Sequence, residues 1–508
     1  MFGLVMEQSK RSDKRKEKIK SWLRDPYNLA LIGVLVFALI IRLYYFFLTM
    51  NQPLWWDEAV YGVLAKNFIV NTWKTNGLVL SELLIRPPIF PLVWAILMFF
   101  QIPEAGARFI LEVIPSILTI FFVYLIGKEA FDKKTGVISA FIFSIIWVNL
   151  FYSMRLMTDM PSLFFLTASI YCFIKFNKAE EINLKYLFIS LFLLSLGTLI
   201  RYEIGIVFLV YLISILFKTR SLITKPKFYL AGILGITPLL IFFLLNFLHY
   251  GNIFPSLLGG TYLKSGASQA SPIAYNLLNY IPLLLGTVFF LFFLIGLLIV
   301  LIRIFLGYDR IMKNKDYQNY IFLLMILLFF FSFFIFYMRA AEDRYFLPAS
   351  VILACFAGVG LVYIYRFIKK YNKFIAIILI FATLSYGSYM QIQQANQIIH
   401  DKIGSFLQIK QGAEWLEKNT PSDSLILGAG LNPYSIYYSD RDVVYYEQNE
   451  TDKIDKVDYA IIHAFPPPTY LTSYIQEDKS KWVPIQAFFF DAQQTQPALI
   501  IYKNAAKN

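Results

Sequence analysis

The sequence predicts a polytopic α-helical membrane protein of about eleven spans, with interfacial helices in its first outer loop and a small C-terminal α/β domain. Three observations predict it. Only 16% of the 508 residues are charged and 58% are hydrophobic, whereas a soluble domain carries roughly 25% charged residues. Apolar runs such as LALIGVLVFALI (29–40), VFFLFFLIGLLIVLI (288–302) and IFLLMILLFFFSFFIFY (321–337) reach, with their flanks, the ~20 residues needed to cross a bilayer. The basic residues also alternate between loops. The segments 10–24, 128–134, 175–185, 218–227, 303–315 and 366–373 hold 26 of the 46 Lys and Arg, and the complementary loops hold eight. That is the positive-inside pattern. The net charge of +13 therefore reports orientation in a membrane, and no nucleic-acid partner is expected.

The basic segment 1–27 is placed in the cytoplasm, and no cleavable signal is expected because the first apolar run is too long for one. The spans follow at roughly 28–49, 107–127, 135–153, 159–176, 186–200, 203–217, 228–248, 279–303, 319–338, 345–367 and 373–390. An odd count puts the tail outside, so the protein is expected to be a multi-pass cell-membrane protein. The first outer loop, 50–106, contains PPIFPLVWAILMFF (87–100), apolar but short and led by prolines. Treating it as an interfacial helix keeps the charge alternation intact. Cys172 and Cys355 fall within spans as small core residues.

The texture changes after residue 390. An amphipathic helix, GAEWLEKN (412–419), precedes strand-like runs SLILGAG (424–430), DYAIIHAF (458–465), IQAFFF (485–490) and ALIIY (498–502). The stretch 391–508 thus reads as an extracytoplasmic α/β domain, attached to a membrane domain covering 28–390.

The outer loops carry the chemistry. WWDEAVYGVLAKNF opens with Asp57 and Glu58 and continues with apolar residues at helical spacing, an amphipathic helix lying on the membrane. An acid there is either a helix cap or a working group. Asp159, in TDMPSLFF just before Pro161, has the same two readings, and taken alone it suits a cap. Arg86, Arg201 and Arg344 abut span ends on the same face. Singly each suits headgroup snorkelling or a local ion pair; together they suit a clamp for a phosphate anchored in the bilayer. Tyr202 and Tyr345 adjoin two of these arginines as interfacial aromatics. Arg42, inside the first span, has no obvious partner. His249, His400 and His463 are scattered and form no metal constellation.

These motifs resemble the C-type glycosyltransferases that use lipid-phosphate sugars, in particular the protein O-mannosyltransferases and the lipid A aminoarabinose transferases. The matching segments are DEAVYGVLAKNF, RPPIFPLVWAIL, TDMPSLFF and RYFLPASVILACFAG, in that order over about 50–360. The resemblance implies an inverting transferase taking a sugar from a polyprenyl or dolichyl monophosphate on the outer face. The acceptor hydroxyl would belong to a protein, a glycolipid or a glycan. Asp57 matches the family's catalytic acid, Glu58 its neighbour and Asp159 the second-loop acid. Arg86 stands where relatives contact the lipid phosphate; Arg201 and Arg344, with Tyr345, are looser matches. No cofactor is expected with certainty; a divalent cation between Asp57 and Asp159 is one option. The competing class is a non-enzymatic transporter or flippase for lipid-linked sugars.

Overall fold

A computed structural model describes residues 17, 20–70, 86–179, 183–218, 224–253, 273–307, 314–338, 342–428, 432–444, 451–465 and 469–507. The N-terminal residues 1–16 and the first-loop stretch 71–85 lie outside the described residues.

All eleven segments expected as spans are helical. In chain order they are α1 (Pro26–Thr49), α4 (Glu104–Ala130), α5 (Lys133–Ile145) continued by α6 (Trp147–Tyr152), α7 (Asp159–Lys178), α8 (Leu184–Ile200), α9 (Val207–Lys218), α10 (Pro226–Tyr250), α11 (Ile273–Leu306), α12 (Lys315–Ser332), α13 (Leu347–Lys369) and α14 (Lys373–Lys402). Between α1 and α4 lie α2 (Trp56–Val70) and α3 (Ile89–Phe99). Among the described residues, seven helices are long and apolar enough to cross a bilayer by length and composition: α1, α4 and α10 to α14. α3 has 11 residues, or about 16 Å at 1.5 Å per residue, roughly half of a bilayer's hydrocarbon core. It packs beside α2.

Sequence signals explain how the helices begin. Asp25, Asp132, Asn183, Asn314 and Asn372 each cap the helix that follows, accepting a backbone N–H in its first turn. All five lie at one end of the bundle, where Asp25–Lys133, Asp132–Arg366 and Lys178–Asp316 also pair. At the opposite end, α7 and α13 start without any side-chain cap bond. The acids there are therefore free for other partners.

α13 is the centre of the bundle, with every residue from Leu347 to Val362 buried. α10, by contrast, leaves Leu240, Ile241, Leu244, Leu245 and Leu248 exposed, the face a lipid would cover. Lipid tails are as apolar as leucine, so helices in a membrane associate through close packing of small residues. Gly296 of α11 and Gly360 of α13 provide it: a Cβ on Gly296 would lie 1.8 Å from the Phe356 carbonyl oxygen. Gly296→Leu is expected to cost at least the ~1–3 kcal/mol of ordinary overpacking, read as a lowered Tm of the detergent-purified protein. An unchanged Tm would place the two helices further apart.

Arg42 and Arg108 are fully buried, Arg42 among neutral oxygens and Arg108 among backbone carbonyls and one carboxylate. Arg42 donates to Ser116 Oγ at 2.7 Å and the Ser144 carbonyl at 3.1 Å, partners that no nearby sequence signal indicated. Arg108 donates to the carbonyls of Thr49 and Met50, both at 3.1 Å, and pairs with Glu104 at 3.0 Å. It thereby satisfies the open carbonyls at the end of α1 and fixes the segment that leads into α2.

α14 runs unbroken past residue 390 to Lys402. The C-terminal domain then forms α15 (Leu407–Asn419), β1 (Leu425–Leu427), α16 (Asn432–Ser439), β2 (Asp442–Val444), α17 (Thr451–Ile454), β3 (Tyr459–His463), α18 (Thr469–Glu477), β4 (Trp482–Phe489) and β5 (Pro497–Asn504). The sheet order is β2-β1-β3-β5-β4, with β1 parallel to β2 and β3, and β5 antiparallel to β3 and β4. α16 packs on α2. The Leu54 N–H donates to Tyr438 Oη at 2.9 Å, Lys66 Nζ donates to the Tyr437 carbonyl at 2.6 Å, and Lys66 pairs with Asp440 at 2.9 Å. The domain thus braces the helix that begins at Trp56.

Candidate active site

α2 starts one residue before the acid pair, and this separates their roles. Trp55 precedes the helix, and its N–H donates to Glu58 Oε2. Glu58 is thus the third-residue acid that reaches back to close the helix N-terminus. Its carboxylate also receives the Leu156 N–H and pairs with Arg155. Arg155 is fully buried. It donates to Gln52 Oε1 at 2.9 Å and the Pro53 carbonyl at 3.3 Å, and its guanidinium lies 4.0 Å from the centre of the Trp55 ring. Gln52 in turn donates to the Met154 carbonyl. The segments 52–58 and 154–156 are sewn together by this network.

Asp57 is left uncommitted to the cap. Its Oδ1 accepts from Arg86 Nη2 at 2.9 Å and its Oδ2 from Arg344 Nη1 at 2.8 Å. Arg344 also pairs with Glu342 at 2.6 Å. The Arg86 guanidinium rests 4.9 Å from the Tyr61 ring centre; Tyr61 lies one helical turn from Asp57, so both share a face. Asp159 likewise forms no cap bond and pairs instead with Arg201, whose guanidinium lies 5.7 Å from the Tyr345 ring centre. Of the two readings the sequence leaves for Asp159, the structure shows no cap bond and an ion pair with Arg201 instead.

One pocket collects these residues. Asp57, Tyr61, Arg86, Met157, Arg201 and Glu203 line it, with Arg344 and Tyr345. Asp159 meets it through Arg201, whereas Glu58 is buried behind it. The pocket holds only about 40 Å³, space for a few waters, because the ion pairs close it. Burial by itself would raise the Asp57 carboxyl, but Arg86 and Arg344 outweigh burial and hold it down at about 2. The folded value lies below the ordinary 3.8, so the stabilisation is present above about pH 4 and is lost as pH falls through about 2. Between those limits wild type should lose about 2 kcal/mol that Asp57→Asn does not lose, measured by thermal unfolding across the acid range. Parallel curves for the two proteins would refute the double pairing.

A divalent cation does not suit this donor set. Both Asp57 oxygens face guanidiniums, Asp159 faces Arg201, and among the described residues no three His, Cys, Asp or Glu side chains cluster as ligands.

Three groups at the site escaped the sequence reading. Arg155 is one of several loop charges in the sequence and carries no local signal that it meets Glu58. Tyr61 had a usable signal in its spacing from Asp57. Glu112, an acid inside the apolar FILEVIPSIL run, accepts the Met157 N–H at 3.1 Å from beneath the second loop. Its signal was the charge itself at membrane depth.

The surroundings of these residues match known proteins. A family model for dolichyl-phosphate-mannose-protein mannosyltransferases matches residues 86–244, beginning at Arg86 and including Asp159 and Arg201. The ArnT of Cupriavidus metallidurans superposes on 94% of this chain and 98% of its own, with a TM-score of 0.64 at 13% identity. The chain has the fold of the C-type glycosyltransferases. The same C-type fold is seen in the oligosaccharyltransferase AglB of Archaeoglobus fulgidus, over 94% of this chain and 74% of that one, with a TM-score of 0.57 at 14% identity. It is also seen in the arabinofuranosyltransferase AftD from mycobacteria, over 93% and 40%, with a TM-score of 0.54 at 9% identity. ArnT has also been solved with undecaprenyl phosphate, and AglB with an inhibitory peptide and a dolichol-phosphate. A search of curated proteins finds no match by sequence. The C-type likeness therefore rests on architecture and on the segment 86–244.

Proposed function

We propose that this chain is an inverting glycosyltransferase that moves a sugar from a polyprenyl or dolichyl monophosphate to an acceptor hydroxyl at the outer face of the membrane. The observation that carries the proposal is the Asp57 carboxylate held between Arg86 and Arg344, in one pocket with the Asp159–Arg201 pair. Arginines matched to a carboxylate also match a phosphate. The solved proteins of the same fold that hold lipid phosphates support that class of donor.

The chemistry needs few groups. The acceptor oxygen forms a bond to the anomeric carbon, and the bond from that carbon to the phosphate oxygen breaks. The lipid phosphate leaves with an added negative charge, stabilised by fixed guanidiniums. The hydroxyl proton passes to a carboxylate, assigned to Asp57. Asp159 positions Arg201 and the acceptor side of the pocket; Glu58 holds α2 in place and touches no substrate.

A carboxylate at about 2 is a weak base. Arrival of the lipid phosphate draws Arg86 and Arg344 away from Asp57, so the same event that binds the donor restores basicity to the acid. The acid limb of kcat, which reports the donor complex, should then lie at higher pH than the acid limb of kcat/KM for the donor, which reports the free enzyme. Coincident limbs would refute this coupling. Transfer of radiolabelled sugar from polyprenyl-phosphate sugars by the purified protein tests the function itself. If wild type transfers from none of a panel of such donors yet moves them across vesicles, the transporter alternative replaces it.

A further inference from the structure

Two helices break at similar depth, away from the acid–arginine pocket. α11 is interrupted at Gly286, whose φ of 66° and ψ of 159° are not helical, one turn after Pro282. α5 ends at Ile145 and the chain restarts as α6 at Trp147. Gln391 of α14 joins the two breaks. Its Oε1 accepts the Trp147 backbone N–H at 2.9 Å, and a Cβ on Gly286 would meet its Nε2 at 2.8 Å. The Trp147 ring N–H donates to the Leu283 carbonyl at 2.9 Å. Tyr280 stacks on Phe346 and Phe293 on Phe356, so α11 and α13 run parallel. Gly286 therefore lies about two turns below the level of Arg344.

Non-helical backbone at membrane depth persists only where protein covers it or where it lines a cavity. Here it lines a cavity of about 400 Å³ between α11 and α14, within the usual range for small-molecule sites. Its polar wall is formed by Gln391, Gln393, Gln394, Gln397 and Thr287, with the exposed ring of Tyr386 beside them. None of the described residues lining it is charged. Amides donate and accept together, as paired sugar hydroxyls require, and an aromatic face suits the C–H side of a sugar ring. A phosphate would find no cation among the described residues of the wall, and an acyl chain would leave the amides unpaired. The rim carries exposed Leu283 and Met390, apolar contacts for a ligand tethered in lipid.

We infer that this cavity binds the uncharged sugar headgroup of a glycolipid, at a site separate from Asp57. It goes beyond the transfer reaction proposed above and does not depend on it. Native mass spectrometry of the full-length detergent-purified protein tests it, with a diglucosyl diacylglycerol, a phosphatidylglycerol of the same chains and the free disaccharide as probes. The glycolipid is expected to bind in preference to phosphatidylglycerol. Gln394→Leu combined with Gln397→Leu should weaken it about tenfold or more, the usual effect of losing two hydrogen bonds. Asp57→Asn should leave glycolipid affinity unchanged, which separates this site from the transfer chemistry. Equal binding of phosphatidylglycerol, or unchanged affinity in the double glutamine variant, would overturn the site. Free disaccharide binding as tightly as the glycolipid would overturn the lipid tether.

Discussion

Asp57→Asn should abolish measurable sugar transfer while leaving the protein folded. Loss of a positioned general base costs roughly 10²–10⁴-fold in rate. Asparagine keeps the shape and a carbonyl that can accept from one arginine. It cannot take the hydroxyl proton, and it leaves the Arg86 and Arg344 guanidiniums 2.9 and 2.8 Å from a group with no charge. Donor binding should persist or tighten, because the arginines no longer have to leave a carboxylate. The two readouts are transfer of radiolabelled sugar and retention of the lipid-phosphate donor by the variant. Wild-type transfer by Asp57→Asn would remove the base from Asp57. Loss of donor binding together with transfer would recast it as a positioning residue for the arginines.

Arg155→Met is the second large effect, and it acts on stability. Arg155 and Glu58 are both essentially without solvent exposure. Removing one partner leaves the other charge buried, which typically costs about 3–5 kcal/mol. Gln52 and the Pro53 carbonyl lose their donor as well. The Tm of the purified variant should fall steeply, and transfer should fall with it because α2 loses its anchor. Pairing Arg155→Met with Glu58→Leu should recover much of the Tm, since an apolar pair of similar volume often replaces a buried ion pair without loss. Activity should not recover, because Glu58 also closes the start of α2 through the Trp55 N–H. A single variant as stable as wild type would show that the pair is not buried as described.

The helices were legible because hydropathy and loop charge are local signals that repeat along the chain. Asp57 and Asp159 were legible for the same reason, as charges beside apolar runs. Their partners were not. Arg344 lies 287 residues from Asp57, and nothing near either residue states that they meet. Nor could sequence divide the work between Asp57 and Glu58, since the assignment turns on which residue begins α2. The breaks at Ile146 and Gly286 escaped because both sit inside apolar windows whose mean hydropathy is unaffected by one non-helical residue. In the C-terminal domain β1, β3, β4 and β5 carried apolar runs, whereas β2 has three residues and begins on Asp442.

The double pairing of Asp57 has a kinetic consequence if the proposed chemistry holds. An acceptor that enters first meets an acid already saturated by two cations, and it forms a complex that cannot advance until the donor binds. Addition should therefore be ordered, donor before acceptor, and a high acceptor concentration should slow turnover by filling the pocket early. Hydrolysis of the donor by water is disfavoured by the same arrangement. The base becomes competent only when the sugar is in place, in a pocket with little room beside it.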